Sequence, residues 1–148
     1  MLLFKKKSLI KAAQDGEIDY LLHNCNCFST MGSGIAAAIK KAFPKAYEAD
    51  KRHHGTPIQR IGDYSEAKIG DLTVVNLYCQ YDYGTDYRRF EYGSFKYALS
   101  LFCNENILNG KTMGLPKIGC GLGKAKWDLV EAIIIQTVAA GNWVVYEF

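Results

Sequence analysis

Twice in this chain an apolar stretch of strand length breaks into a small, glycine-bearing segment and resumes at once as an amphipathic helix. The first passage runs from Ile18-Asp19-Tyr20-Leu21-Leu22-His23 through a polar loop, Asn24 to Gly34. It then enters a helix marked by Ile35, Ile39 and Phe43, which recur every four residues among Ala36, Ala37, Ala38 and Ala42. The second runs from a short strand, Lys111 to Leu115, through the loop Lys117 to Ala125. It ends in a helix over Trp127 to Ala139, with Val130, Ile133, Ile134 and Thr137 on one side. Such a helix must fold back to bury its apolar stripe, and the partner on offer is the sheet that the strands make.

The remaining chain repeats the alternation. Leu2-Leu3-Phe4 is a strand candidate, Ser8 to Gln14 a helical turn or two stopped by Asp15-Gly16, and Lys45 to Lys51 a short helix after Pro44. Arg60 to Tyr64 and the β-branched run Leu72 to Tyr78 read as strands. Tyr81 to Asp86 reads as a loop, and Arg89 to Asn106 as an amphipathic helix with Tyr92, Phe95, Leu99, Phe102 and Ile107 along one face. Gly141 ends the last helix, and Val144 to Phe148 forms the last strand. The expected architecture is α/β, a mixed sheet with helices on both faces, in one domain spanning 1–148. In such sheets ligands bind beyond the carboxyl ends of the strands, where the two glycine loops are expected to meet.

Both loops suit a phosphate. Met31-Gly32-Ser33-Gly34 runs straight into a helix whose first N–H groups and dipole favour an anion. Pro116-Lys117-Ile118-Gly119-Cys120-Gly121-Leu122-Gly123-Lys124 offers the same from another strand, so a diphosphate or two separate phosphates fit the pair. Gly119, Gly121 and Gly123 do not complete G-x-G-x-x-G, no Walker-type G-K-[ST] occurs, and no Cys-x5-Arg marks a cysteine phosphatase. Cys25-x-Cys27 with His23 and Cys120 is not a usual zinc spacing, and no metal or cofactor is expected.

The formal charge is +3, from 18 Lys and Arg against 15 Asp and Glu, which suits an anionic small molecule but not nucleic acid. His53-His54 and Arg88-Arg89 read as solvated surface. Five cysteines beside apolar or glycine-rich sequence point to reduced thiols. Met1 to Phe4 stops at three lysines, the reverse of a signal peptide, and no apolar run is long enough to span a bilayer. A cytoplasmic monomer with no membrane partner is expected.

Read together, His23-Asn24-Cys25-Asn26-Cys27, Met31-Gly32-Ser33-Gly34-Ile35-Ala36, Phe43-Pro44 and Leu115 to Gly123 with Trp127 resemble the macro domain family. The nearest subgroup by motif is the ADP-ribose 1''-phosphate phosphatases, phage and yeast-like members included, which share H-x-C-N-C and a Gln after the middle strand, here Gln80. The resemblance implies a three-layer α/β/α sandwich that takes ADP-ribose or ADP-ribose 1''-phosphate. It implies that Cys25, Met31, Gly32, Ser33, Gly34, Ile35 and Ala36 hold the diphosphate and its ribose. Ile118, Gly119, Cys120, Gly121, Leu122 and Gly123 would then wrap the other side. Asn26 would reach the distal ribose or position a water, with His23, Gln80 and Asp82 (or Asp86) assisting, and Tyr81, Tyr83 or Phe148 stacking on adenine or ribose.

Two departures stand out. The region after the first strand reads Lys6-Lys7-Ser8-Leu9, without the family's frequent adenine-contacting Asp. Related enzymes that remove ADP-ribose from protein or DNA use a lysine after the middle strand, where this chain has Cys79-Gln80. The protein-directed ones also use an Asp where this chain has Gly123. The implied activity is therefore release of phosphate from ADP-ribose 1''-phosphate. The alternatives are a non-catalytic ADP-ribose reader, or a hydrolase freeing ADP-ribose from protein or nucleic acid by a water-based route.

Overall fold

Alternating apolar residues on two central strands decide the layering. Leu21 and Val74 turn to one face, and Leu22 and Val75 to the other, and all four are fully buried. A strand buried on both faces needs helices on both, and the chain supplies them. The computed structural model describes residues 2–84 and 86–148. Its elements run β1 (Leu2–Lys6), α1 (Leu9–Gln14), β2 (Tyr20–Asn26), α2 (Gly34–Ala42), α3 (Pro44–Arg52) and α4 (Pro57–Arg60). They continue β3 (Tyr64–Ile69), β4 (Leu72–Gln80), α5 (Tyr92–Glu105), β5 (Thr112–Leu115), α6 (Trp127–Thr137) and β6 (Asn142–Glu147).

The six strands form one sheet in the order β1-β6-β5-β2-β4-β3, parallel throughout except for β3, which runs antiparallel to β4 at the edge. Helices α5 and α6 cover one face over Phe95, Leu99, Phe102, Val130, Ile134 and Trp143. Helices α1 to α3 cover the other over Leu9, Ile39, Phe43, Ala46 and Tyr78. The mixed sheet and two helical layers match expectation.

Several boundaries shift. Strand β2 begins at Tyr20 and continues through Asn24, Cys25 and Asn26, which pair with Leu77, Tyr78 and Gln80 across a register irregularity. The loop that follows is therefore shorter than its polar composition suggested. Arg60 to Tyr64 is not a strand: Thr56 caps the short helix α4, and β3 begins only at Tyr64. Helix α5 ends at Glu105, so Ile107 is out of phase and exposed, and Leu108 is buried instead. Phe148 lies beyond the last strand and is fully exposed. The expected 81–86 loop has no regular structure in its described residues, and Thr85, like Met1, lies outside them.

Neighbouring strands β2 and β5 send their chains to opposite faces, to α2 and α6 respectively. The crevice that this opens at their carboxyl ends is the topological switch point of the sheet.

Candidate functional site

A cavity of about 730 Å³ fills that crevice. One wall is the β2–α2 loop and the first turn of α2, from Thr30 and Met31 to Ala36. The other is Pro116 to Gly119 with Gly121 to Gly123. The two loops nearly touch, since a Cβ on Gly34 would stand 3.7 Å from the Leu122 side chain. Gly34 has φ +60, which only glycine adopts without strain, and it opens α2. Ser33 makes no side-chain cap there, so the first-turn N–H groups of this nine-residue helix are left to the cavity. The second loop is just as tight. A Cβ on Gly123 would lie 2.8 Å from the carbonyl oxygen of Gly119, and one on Gly119 (φ +76) would overlap the Phe90 ring.

The floor is amide-rich. Asn24 Nδ2 donates to Gln80 Oε1 at 2.7 Å, and Gln80 Nε2 donates to the backbone oxygen of Asp82 at 2.8 Å. A carbonyl can only accept, so it fixes which way the Gln80 amide points. Asn26 Nδ2 donates to Thr30 Oγ1, and its Oδ1 accepts from the Phe28 N–H, so Asn26 both lines the cavity and shapes the loop. Ser29 (φ 56) and Met31 (φ 39) hold the loop in left-handed conformations that cost non-glycine residues about 1–2 kcal/mol each. Lys117 is the one charged side chain on the described lining. Its ammonium pairs with Glu147 at 3.0 Å on the surface, leaving the wall amide-rich with its one cation already paired.

Of the sequence-predicted residues, the structure brings Cys25, Asn26, Met31, Gly32, Ser33, Gly34, Ile35, Ala36, Gln80, Ile118, Gly119, Gly121, Leu122 and Gly123 onto this cavity. Four others fall elsewhere. His23 is fully buried on the sheet face covered by α1 to α3, where its Nε2 meets Asn76 Oδ1 at 2.6 Å, and burial drives its pKa down to about 4. It is a neutral core histidine and no general acid or base for this cavity. Asp82 turns its carboxylate to Arg89 Nε at 3.2 Å and contributes only its carbonyl to the floor. Asp86 also pairs with Arg89. Cys120 is off the lining, its thiol donating to the Ile118 carbonyl.

Among the three aromatic candidates, Tyr83 lines the cavity. Tyr81 packs edge-on against Phe28 outside it, and Phe148 is not on the lining. His53 and Arg89 are not solvated surface. His53 stacks on Tyr78 and pairs with Asp63, and Arg89 lies over the Tyr87 ring. Asn24, Thr30 and Gly84 also line the cavity, and sequence reading did not single them out. Asn24 carried a signal, because it sits one strand period before Asn26 and so shares its face. Among the described residues, no three His, Cys, Asp or Glu side chains gather to hold a metal ion, and no helix is long and apolar enough to cross a membrane.

The Macro domain family model matches residues 22–134. The 17.5 kDa protein of the tk-vs intergenic region of Enterobacteria phage T4 is 38% identical over 119 residues, covering 77% of this chain and 76% of that one. The ADP-ribose glycohydrolase OARD1 of Bos taurus is 26% identical over 130 residues, covering 84% of this chain and 77% of that one. Among solved structures, a Bacteroides thetaiotaomicron protein of unknown function superposes with a TM-score of 0.85 at 23% identity, covering 100% of this chain and 98% of that one. Thermosipho africanus DarTG in complex with ADP-ribose superposes with a TM-score of 0.75 at 17% identity, covering 98% of this chain and 41% of that one.

Proposed function

The chain belongs to the macro domain family, and we propose that its cavity binds ADP-ribose and releases phosphate from ADP-ribose 1''-phosphate. The observation that carries the binding reading is the convergence of two glycine-tight loops and an uncapped helix N-terminus on one cavity. That arrangement presents backbone N–H groups from two sides to a diphosphate. The ADP-ribose glycohydrolase relative supports the same ligand class.

For turnover, a water attacks phosphorus, the bond between phosphorus and the C1'' oxygen breaks, and the products are inorganic phosphate and ADP-ribose. The lining holds no carboxylate or imidazole among its described residues, so the residues at hand act by orientation and electrostatics. Loop N–H groups stabilise charge on the phosphoryl oxygens. Asn26 and the Asn24–Gln80 amide pair orient the water and the distal ribose. The resemblance puts Cys79-Gln80 where related glycohydrolases use a lysine, so a lysine-based route to removing ADP-ribose from macromolecules is not the one proposed.

The absence of an acid or base from the lining favours one second reading, a module that holds ADP-ribose without useful turnover. Incubation with ADP-ribose 1''-phosphate separates them. Phosphate release by the wild type, lost in Asn26→Ala even at saturating substrate, supports the phosphatase. Binding without release leaves the reader, and release of ADP-ribose from a modified protein or nucleic acid would replace both with a glycohydrolase.

A further inference from the structure

Behind the β2–α2 loop, on the side away from the cavity, a chain of buried polar groups runs out of the core. His23 Nε2 meets Asn76 Oδ1 at 2.6 Å, and Asn76 Nδ2 donates to Ser65 Oγ at 3.1 Å. Ser65 Oγ and Tyr78 OH are 2.9 Å apart, and Tyr78 OH donates to Asp50 Oδ1 at 2.7 Å. A carboxylate only accepts, which fixes every donor upstream. Tyr78 gives its proton to Asp50 and accepts from Ser65, Ser65 accepts from Asn76, and His23 carries its hydrogen on Nε2. The whole series points at Asp50, which is fully buried on α3.

The other side of Asp50 is the loop. Ser29 Oγ lies 3.1 Å from the Asp50 carbonyl oxygen and 3.3 Å from Oδ1, and it accepts from Arg60 Nη1 at 2.6 Å. Arg60 also reaches the carbonyls of Cys27 (3.5 Å) and His53 (2.6 Å). Ser29 thus sits clamped between a carboxylate and a guanidinium at the residue where the loop turns left-handed, φ 56. A non-glycine residue persists in that region only when its surroundings over-determine it. The adjacent Thr30 fixes Asn26, whose amide faces the cavity.

We propose that Asp50 and Arg60 are positioning residues: through Ser29 they latch the β2–α2 loop in the conformation that receives the ligand. Neither touches the cavity. The latch is costly to the fold, which argues that it is kept for the loop. Asp50 Oδ2 and Arg60 Nε are buried without a hydrogen-bond partner among the described residues, and burial pushes the Asp50 carboxyl above its ordinary value. A core built for stability alone would not bury these two groups half-satisfied. The inference rests on the reading of the cavity as an ADP-ribose site, and its test keeps the two apart.

The first arm needs no ligand. Hydrogen exchange on the free protein should show amides of residues 28–34 exchanging at least severalfold faster in Ser29→Ala and Arg60→Met, with β2 and β4 protection unchanged. Ser29→Ala removes one hydroxyl from a half-buried site and so leaves the fold in place where Arg60→Met fails to fold. The second arm titrates ADP-ribose. Each single variant should bind roughly tenfold more weakly, from loss of a hydrogen bond to a charged group. The double variant should be no weaker than either single, because one latch is broken in all three. Ser29→Gly, which takes φ 56 without strain, should recover part of the loss. Unchanged exchange at 28–34 overturns the latch, and so do additive losses in the double variant. If the wild type does not bind ADP-ribose, the ligand reading falls, and the exchange arm alone still decides the latch.

Discussion

Acid should expose His23. Its ring is completely buried, its short hydrogen bond is to the Asn76 amide, and burial drives its pKa from 6.5 to about 4. The folded value is depressed, so the native state prefers the neutral ring. The corresponding stability is fully present above pH 6.5 and is lost as pH falls through the folded value near 4. At about 1.36 kcal/mol per pH unit, the drop amounts to about 3 kcal/mol. That is a large part of a typical domain's stability. The comparison variant is His23→Gln, which keeps an N–H donor but cannot charge. Urea unfolding of both proteins between pH 7.5 and 4, followed by the fluorescence of buried Trp143, isolates the difference, since the other titrating groups are common to both. The wild type should lose about 3 kcal/mol more than the variant over that range. Parallel curves would refute the argument, showing that the ring is not held neutral in the core. A working catalytic base would instead show itself as an activity profile titrating at His23 with stability untouched.

The remaining expectations concern the loops. Gly123→Ala should displace the second loop, since its Cβ meets the Gly119 carbonyl at 2.8 Å and Gln80 Oε1 at 3.3 Å, whereas a Cβ on Gly121 meets nothing within 4 Å. Ligand titration should therefore find Gly123→Ala weakened at least tenfold and Gly121→Ala unchanged; equal effects would contradict the loop geometry. Gly119→Ala combines a positive φ with overlap on Phe90 and should lower stability by about 2–4 kcal/mol in denaturant unfolding. Tyr83→Ala should weaken ADP-ribose binding by about 1 kcal/mol if its ring packs on the ligand, while Phe148→Ala should have no effect in the same calorimetric titration.

Local signals carried much of the fold. The β-branched run of β4 and the four-residue periodicity of Ile39 and Phe43 report burial directly, and Pro44 opens a helix as its ring requires, whereas the last helix stops at Thr137 with Val138 as its C-cap, short of the Gly141 expected to end it. The loops of the site were legible for the same reason, because glycine spacing and the adjoining helix starts are short-range features. What was not legible depends on distant partners. Asn24 to Asn26 look like loop residues until β4 pairs with them, some fifty positions away. His23 reads as a candidate base because its polarity is visible in sequence, whereas the Asn76 that occupies it and the helices that bury it are not. Asp82 likewise reads as a free carboxylate until Arg89 folds back on it. The Ser29–Asp50–Arg60 latch gave no local signal, since its members sit on a loop and two separate helices.

The central claim is that the crevice between the two glycine loops is an ADP-ribose site. Calorimetric titration of ADP-ribose into the wild type and into Gly34→Glu tests it most directly, because the new side chain places a bulky anion where the diphosphate would sit. Micromolar binding by the wild type, lost in a variant whose sheet remains folded, is the predicted result. No binding by the wild type, or equal binding by both proteins, would contradict it.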